Sequence, residues 1–284
     1  MKKVIFTFMC VSALALNSSF GQGFYIKGGA SYAFPAGRQP FITNDVRIGA
    51  TGFSEILVAT SYGKGVIPTV GIGFMFTENI GIEIAGSYLF GGKTESNISQ
   101  LIGPDQTETI SISSSATGIN ILPALVLRAP INGQIGIYSR TGLIMPVGGK
   151  IVTDITDVYA GTDMNTSIAY TREVKGKMTL GFAGAIGLNV RLSDRISFWA
   201  EANGQLLNVW AKSAELTAFT QDGDDILATL PVVDKQTTYV KEIYQNSNND
   251  VNPGGLNKGL PYQELTEQVS FHNVGVGLGV AIHF

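Results

Sequence analysis

The chain has 284 residues with 19 Lys and Arg against 22 Asp and Glu, a formal charge of −3 that argues against nucleic acid as a partner. Charged residues make up only 14%, well under the roughly 25% of a soluble domain, yet past the leader no run of eighteen apolar residues offers a membrane helix. Low charge without such a run leaves the other structure that satisfies every backbone group in lipid, a barrel of β-strands.

Met1-Lys2-Lys3 is a basic start, Val4–Leu16 is an apolar run, and Ser19-Phe20-Gly21 offers small residues for a signal peptidase. The pattern predicts a secretory signal peptide over 1–21, cleaved after Gly21, and one barrel domain over 22–284. The single cysteine, Cys10, sits in the middle of the apolar run rather than at its end, so lipidation is not expected. Cleavage would leave no thiol for a disulfide or a metal site, and the loss of Lys2 and Lys3 would make the chain more acidic.

Stretches of about ten residues then alternate apolar with small or polar side chains, the period of a strand. The first is Phe24–Phe34, where Phe24, Ile26, Tyr32 and Phe34 alternate with Tyr25, Lys27, Gly29 and Ser31. A link of some thirty residues with Pro35 and Pro40 leads to Thr69–Phe76, and Thr77-Glu78-Asn79 is a tight turn into Ile80–Phe90. There Ile80, Ile82, Ile84, Tyr88 and Phe90 point one way, and Gly81, Glu83, Ala85 and Ser87 the other. The next link returns through 107–115, whose Thr, Ser and Ile extend the strand outward.

The fourth strand, Gly118–Leu127, contains Pro123, for which a bulge is expected because proline removes a ladder donor. After the turn 130–133 comes Ile135–Met145, with Gly136, Tyr138, Arg140 and Gly142 as its inner set. A long link, 147–177, precedes Thr179–Leu192, and Ser193-Asp194-Arg195 turns into Ile196–Leu206, with Trp199, Glu201, Asn203 and Gln205 inward. The last link, about 208–268, holds 227–234 and 237–244, two pieces expected to form a hairpin. The last strand, Asn273–Phe284, alternates Val274, Val276, Leu278, Val280, Ile282 and Phe284 with glycine, alanine and His283.

Gly and Ala on the second face suit the cramped inside of a small barrel whose apolar face meets lipid. The fold class predicted is all-β: a closed, antiparallel, eight-stranded transmembrane barrel with long extracellular loops and short periplasmic turns. Phe24, Phe76, Phe198 and Phe284 would then mark the periplasmic rim, and Phe34, Tyr88 and Phe90 the outer one.

Three segments carry a family resemblance: GFYIKGGASYAF after the leader, GFAGAIGLNVRLSDRISFWAEANG, and the alternating end NVGVGLGVAIHF. The chain resembles the small outer-membrane β-barrel proteins of the OmpA, OmpX and OmpW type. The resemblance implies the outer membrane of a Gram-negative bacterium, surrounded by lipid and lipopolysaccharide. It also implies that the barrel-assembly machinery reads Val276, Leu278, Val280, Ile282 and Phe284. No peptidoglycan-binding domain is expected after the last strand.

An eight-stranded barrel is filled by its own side chains, so inward charges need partners. Lys27, Glu83, Arg140 and Glu201 should meet at nearly one level as a salt-bridge network plugging the interior, with an ion or proton path as the other reading. Arg128 and Arg191 are expected to be solvated or bonded to turn carbonyls. A catalytic role would rest on His272 with Ser270 and an unspecified loop acid. The runs Gly275-x-Gly277-x-Gly279 and Gly71-Ile72-Gly73 lack the following helix of a dinucleotide loop. Asp222-Gly223-Asp224-Asp225 lacks the ligand spacing of a calcium loop.

The expectation is therefore a monomeric outer-membrane barrel with a structural or surface-binding role through its loops, and no catalytic activity, cofactor or metal. The alternative is a narrow channel for small hydrophobic or ionic solutes, and less so a lipid-modifying enzyme.

Overall fold

The computed structural model describes residues 23–50, 52–103, 105–162 and 165–284, and the expected signal peptide lies outside them. Among the described residues strand dominates, with one short helix, Val232–Lys235, and a 3-10 turn, Leu227–Thr229. The long ladder strands are β1 (Gly23–Pro35), β2 (Gly65–Met75), β3 (Ile80–Gly91), β4 (Gln106–Pro130), β5 (Ile135–Gly161), β6 (Gly181–Arg191), β7 (Ile196–Leu206) and β8 (Asn273–His283). Each pairs antiparallel with its successor. The last, β8, also pairs with β1, from Tyr25↔His283 to Pro35↔Asn273.

Alternation decides which face each residue takes. Along β8, Val274, Val276, Leu278, Val280 and Ile282 are exposed, while Gly275, Gly277, Gly279 and Ala281 are buried. An apolar set left bare on one face is what a lipid-facing sheet requires. The enclosed face is packed by matching large side chains to bare backbone. A Cβ built on Gly279 would lie 2.5 Å from the Trp199 ring, and one on Gly187 would lie 2.9 Å from Tyr138.

Aromatic rings collect at the two ends of the apolar belt. Phe24 and Phe74 pair at 4.8 Å and Phe74 and Phe76 at 5.3 Å at one end. At the other, Tyr32 and Phe34 lie 5.0 Å apart, and Tyr88 and Phe90 4.5 Å apart.

The strands number more than eight, because the long links are themselves paired. Thr94–Gly103 pairs with β4, Asn165–Gly176 with β5, and Asn208–Gln221 with Asn165–Gly176. The stretch 147–177, expected as a link, is thus mostly a hairpin that continues β5. Isoleucine and valine alternating with threonine favour pairing in water as well as in lipid. Two outer pairings are parallel, Val46 with Ile98 and Thr237 with Tyr262, so the sheet is not antiparallel throughout.

Four further expectations are corrected. The fourth ladder strand shows no bulge at Pro123: Ile84 faces Pro123, and the β4–β5 ladder passes over it in register, with Ala124 facing Gly142 and Ile121 facing Met145. The shift falls instead at Pro146/Gly148, where Gly149 has φ +136 and no space for a Cβ beside the Thr117 carbonyl. The pieces 227–234 and 237–244 form no hairpin, because Pro231 caps the helix Val232–Lys235 and Gln236–Val240 pairs with Ser213–Glu215. Phe284 lies just past β8, although its N–H still reaches the Phe24 carbonyl at 3.0 Å. Finally, the link 35–66 is not all loop. Its Phe41 and Tyr62 pack with Ile112, Ala116, Ile151 and Val269 inside the outer extension.

Candidate functional site

The enclosed face of β1, β3, β5 and β7 carries the charges. Strand parity turns Lys27, Glu83, Arg140 and Glu201 inward, and similar distances from the short turns bring them to one level. Arg140 bridges the carboxylates, with Nη1 2.6 Å from Glu83 Oε1 and Nη2 2.8 Å from Glu201 Oε1. Lys27 Nζ lies 3.3 Å from Glu201 Oε2 and 3.9 Å from Glu83 Oε1. Two cations and two anions make the quartet itself neutral, so each buried charge in it has a partner.

Aromatic side chains complete the quartet, and these partners were not foreseen from the sequence. The Tyr25 hydroxyl donates to Glu83 Oε2 at 2.8 Å and the Tyr138 hydroxyl to Glu201 Oε2 at 2.6 Å. The Lys27 ammonium sits 4.3 Å from the centre of the Trp199 ring. Parity already placed all three rings inward, so the signal was present. Which carboxylate each one reaches depends on the relative stagger of the strands.

The partly exposed Arg128 lies with its guanidinium over the Tyr25 ring at 4.7 Å. Below the quartet, Ser197 and His283 share a hydrogen bond at 2.8 Å, with the ring tautomer deciding the donor. The indole Nε1 of Trp199 is buried without a partner among the described residues. Above the quartet opens a chamber whose polar lining is Ser31, Thr69, Ser87, Asn203 and Gln205, with Arg140 and Glu201 at its floor and Ile67, Leu122 and Leu143 among its apolar walls. Asn203 Nδ2 donates to Ser31 Oγ across it at 2.8 Å.

The other candidates lie apart. Leu207 N–H donates to His272 Nδ1 at 2.9 Å, and the Ser270 hydroxyl donates to the Gly37 carbonyl at 2.9 Å. Both side chains thus tie backbone segments together. Asp222 Oδ1 accepts from Ser167 N–H at 2.8 Å at an exposed turn. Among the described residues no cluster of three or more His, Cys, Asp and Glu has the makings of a metal site. Val276, Leu278, Val280, Ile282 and Phe284, the residues expected to be read during assembly, are all exposed.

Comparison with known proteins gives one family: the outer membrane protein beta-barrel domain matches residues 4–240. No curated protein matches the chain. Among solved structures, the outer membrane protein OprG from Pseudomonas aeruginosa is 10% identical, covering 93% of this chain and 96% of its own, with a TM-score of 0.43. Ail, the attachment invasion locus protein of Yersinia pestis, is also 10% identical, covering 92% of this chain and 96% of its own, with a TM-score of 0.25.

Proposed function

Taking as premise that the chain belongs to the outer membrane protein β-barrel domain family and lies in the bacterial outer membrane, we propose a non-conducting, surface-binding barrel. In this reading β1–β8 form a closed, eight-stranded, monomeric barrel across the membrane. The short turns near Glu78, Asn132 and Asp194 face the periplasm, and the paired outer segments rise into the medium. Barrel-assembly machinery would read the exposed Val276, Leu278, Val280, Ile282 and Phe284 during insertion.

One observation carries the non-conducting part: the neutral quartet of Lys27, Glu83, Arg140 and Glu201, whose side chains are 2–12% exposed. An ion crossing that level would have to break charge pairs that are costly to leave unmatched in the interior. The binding part rests on the outer segments, which are too long and too well paired to serve only as connections. The chain is proposed to have no catalytic activity, a reading supported by the backbone bonds that occupy His272 and Ser270.

Planar-bilayer recording of the refolded chain tests the proposal. A silent protein is expected. Steady single-channel steps would overturn the plug and favour a narrow channel for small hydrophobic or ionic solutes.

A further inference from the structure

A cavity of about 320 Å³ lies beyond the chamber above the quartet, at the outer end of the apolar belt. Its lining is mainly apolar, including Leu89, Val147, Ile151, Val174, Met178 and Phe271. The charged residues around it are Lys150, Lys177 and Lys212, with no Asp or Glu among them. Lys150 is paired with Glu173 at 2.5 Å, while Lys177 and Lys212 form no ion pair among the described residues.

The wall beside this cavity is interrupted. β5 pairs with β6 as far as Ile144↔Gly181, and with Asn165–Gly176 only from Lys150↔Lys175 onward. Residues 145–149 therefore have no ladder partner on that side. The facing segment 177–180 is bonded the other way, with Lys177 N–H on the Trp210 carbonyl at 2.8 Å and the Thr179 hydroxyl on the Asn208 carbonyl at 3.0 Å. The break sits level with the outer aromatic belt, because Tyr88 pairs with Ile119 and Ile119 with Gly148. Val147, Met178 and Leu180, at 51%, 77% and 67% exposure, border it.

We propose that this cavity binds a single-chain anionic amphiphile of the fatty-acid carboxylate class. The acyl chain enters through the break at 145–149 and lodges among the apolar side chains. The carboxylate stays at the edge, held by Lys177 and Lys212. Charge complementarity selects the head group, since the charged residues lining the cavity are all lysines and two of them form no ion pair among the described residues. Size selects one chain, because the volume stands at the low end of the roughly 300–1,000 Å³ range of ligand pockets. A lipid with several acyl chains would not fit.

The test uses the refolded full chain in amphipol, with cis-parinaric acid and its methyl ester as fluorescent probes. Saturable binding of the acid is expected, with the ester about tenfold weaker, the difference that a charge-assisted hydrogen bond brings. Lys177→Gln with Lys212→Gln should bring the acid down to the ester's affinity and leave the ester unchanged. Val147→Trp should block both probes while gel mobility still reports a folded barrel. Should that variant misfold, Met178→Trp at the exposed border serves the same purpose. Equal binding of acid and ester by the unmodified chain would overturn the proposal. So would acid binding that survives the double lysine variant or the tryptophan block.

Discussion

Tyr25 and Gly73 face each other across the β1–β2 ladder, and the tyrosine ring occupies the space a side chain at Gly73 would need. A Cβ there would lie 2.1 Å from the ring Cζ. Tyr25 holds Glu83 through its hydroxyl, so a glycine on β2 sets the position of a carboxylate on β3. Gly73→Ala should destabilise the refolded barrel by about 1–3 kcal/mol, the cost of overpacking a close-packed site. Tyr25→Ala should cost less in that variant than in the unmodified chain, because the clash goes with the ring. The denaturant midpoints of both single variants and the double variant give the coupling, and simple additivity would show that the two residues do not compete for space.

Glu201 accepts from Arg140, Lys27 and Tyr138, and it is buried. Glu201→Ala leaves two cations facing Glu83 alone, and removing one partner of a buried ion pair costs roughly 3–5 kcal/mol. Any water admitted from the chamber above reduces the loss. Guanidinium unfolding monitored by intrinsic fluorescence should show a lower midpoint. An unchanged midpoint together with new ion conductance would mean that the quartet gates the interior without stabilising it.

The ladder strands and their charges are legible in the sequence because lipid on one side and a cramped interior on the other enforce a strict period of two. Parity alone sends Lys27, Glu83, Arg140 and Glu201 inward, and counting from the short turns brings them level. The aromatic partners Tyr25 and Tyr138 are legible as inward rings, while their acceptors depend on strand stagger, which no local pattern encodes. The outer segments are harder to read. In water both faces of a strand accept threonine and serine, so 147–177 looks like a link although 150–160 pairs with 165–175. Pro123 shows the limit of a local rule: whether a missing N–H forces a bulge depends on which neighbour would have used it.

Surface exposure in the outer links should be uneven. Cysteine at Phe53, whose side chain is 65% exposed, should react with a membrane-impermeant maleimide on intact cells. Cysteine at Ser61 in the same link is 0% exposed and should be protected. Glu78 and Asp194 sit in the short turns, and cysteine there should react only after the outer membrane is opened. Reaction at Asp194 from outside would reverse the topology.

The Tyr159 hydroxyl donates to Glu108 Oε1 at 2.6 Å in the outer extension. That bond to a carboxylate, with smaller contributions from burial and Asp157, pushes its pKa from 10.0 up to about 12. The contribution to folding is therefore present below pH 10 and is lost as pH rises from 10 toward about 12. The tyrosinate absorbance difference between the unmodified chain and Tyr159→Phe isolates this one ring. In a Glu108→Gln background the ionisation should return toward the ordinary tyrosine value. If it stays high there, the carboxylate is not its cause.

Replacing 217–259 by a short Gly-Ser linker removes the helix Val232–Lys235 and the strand Gln236–Val240, whose ladder partners lie in Ser213–Glu215 and Tyr262–Leu265. It also removes the end of Asn208–Gln221 that pairs with Ile168–Thr171. None of these bonds belongs to the ladders among β1–β8. The remaining Gln268–Ser270 still pairs with Asn208–Trp210 and leads directly into β8. Loop-closure entropy changes only slowly with length, so the shortened connection should carry little cost of its own. The expected outcome is a barrel that refolds, seen as a mobility difference between heated and unheated samples, with loss of whatever the outer segments bind. Disappearance of the folded band would mean that the outer sheet is needed to bring β7 and β8 together, and that assembly does not rest on the ladder strands alone.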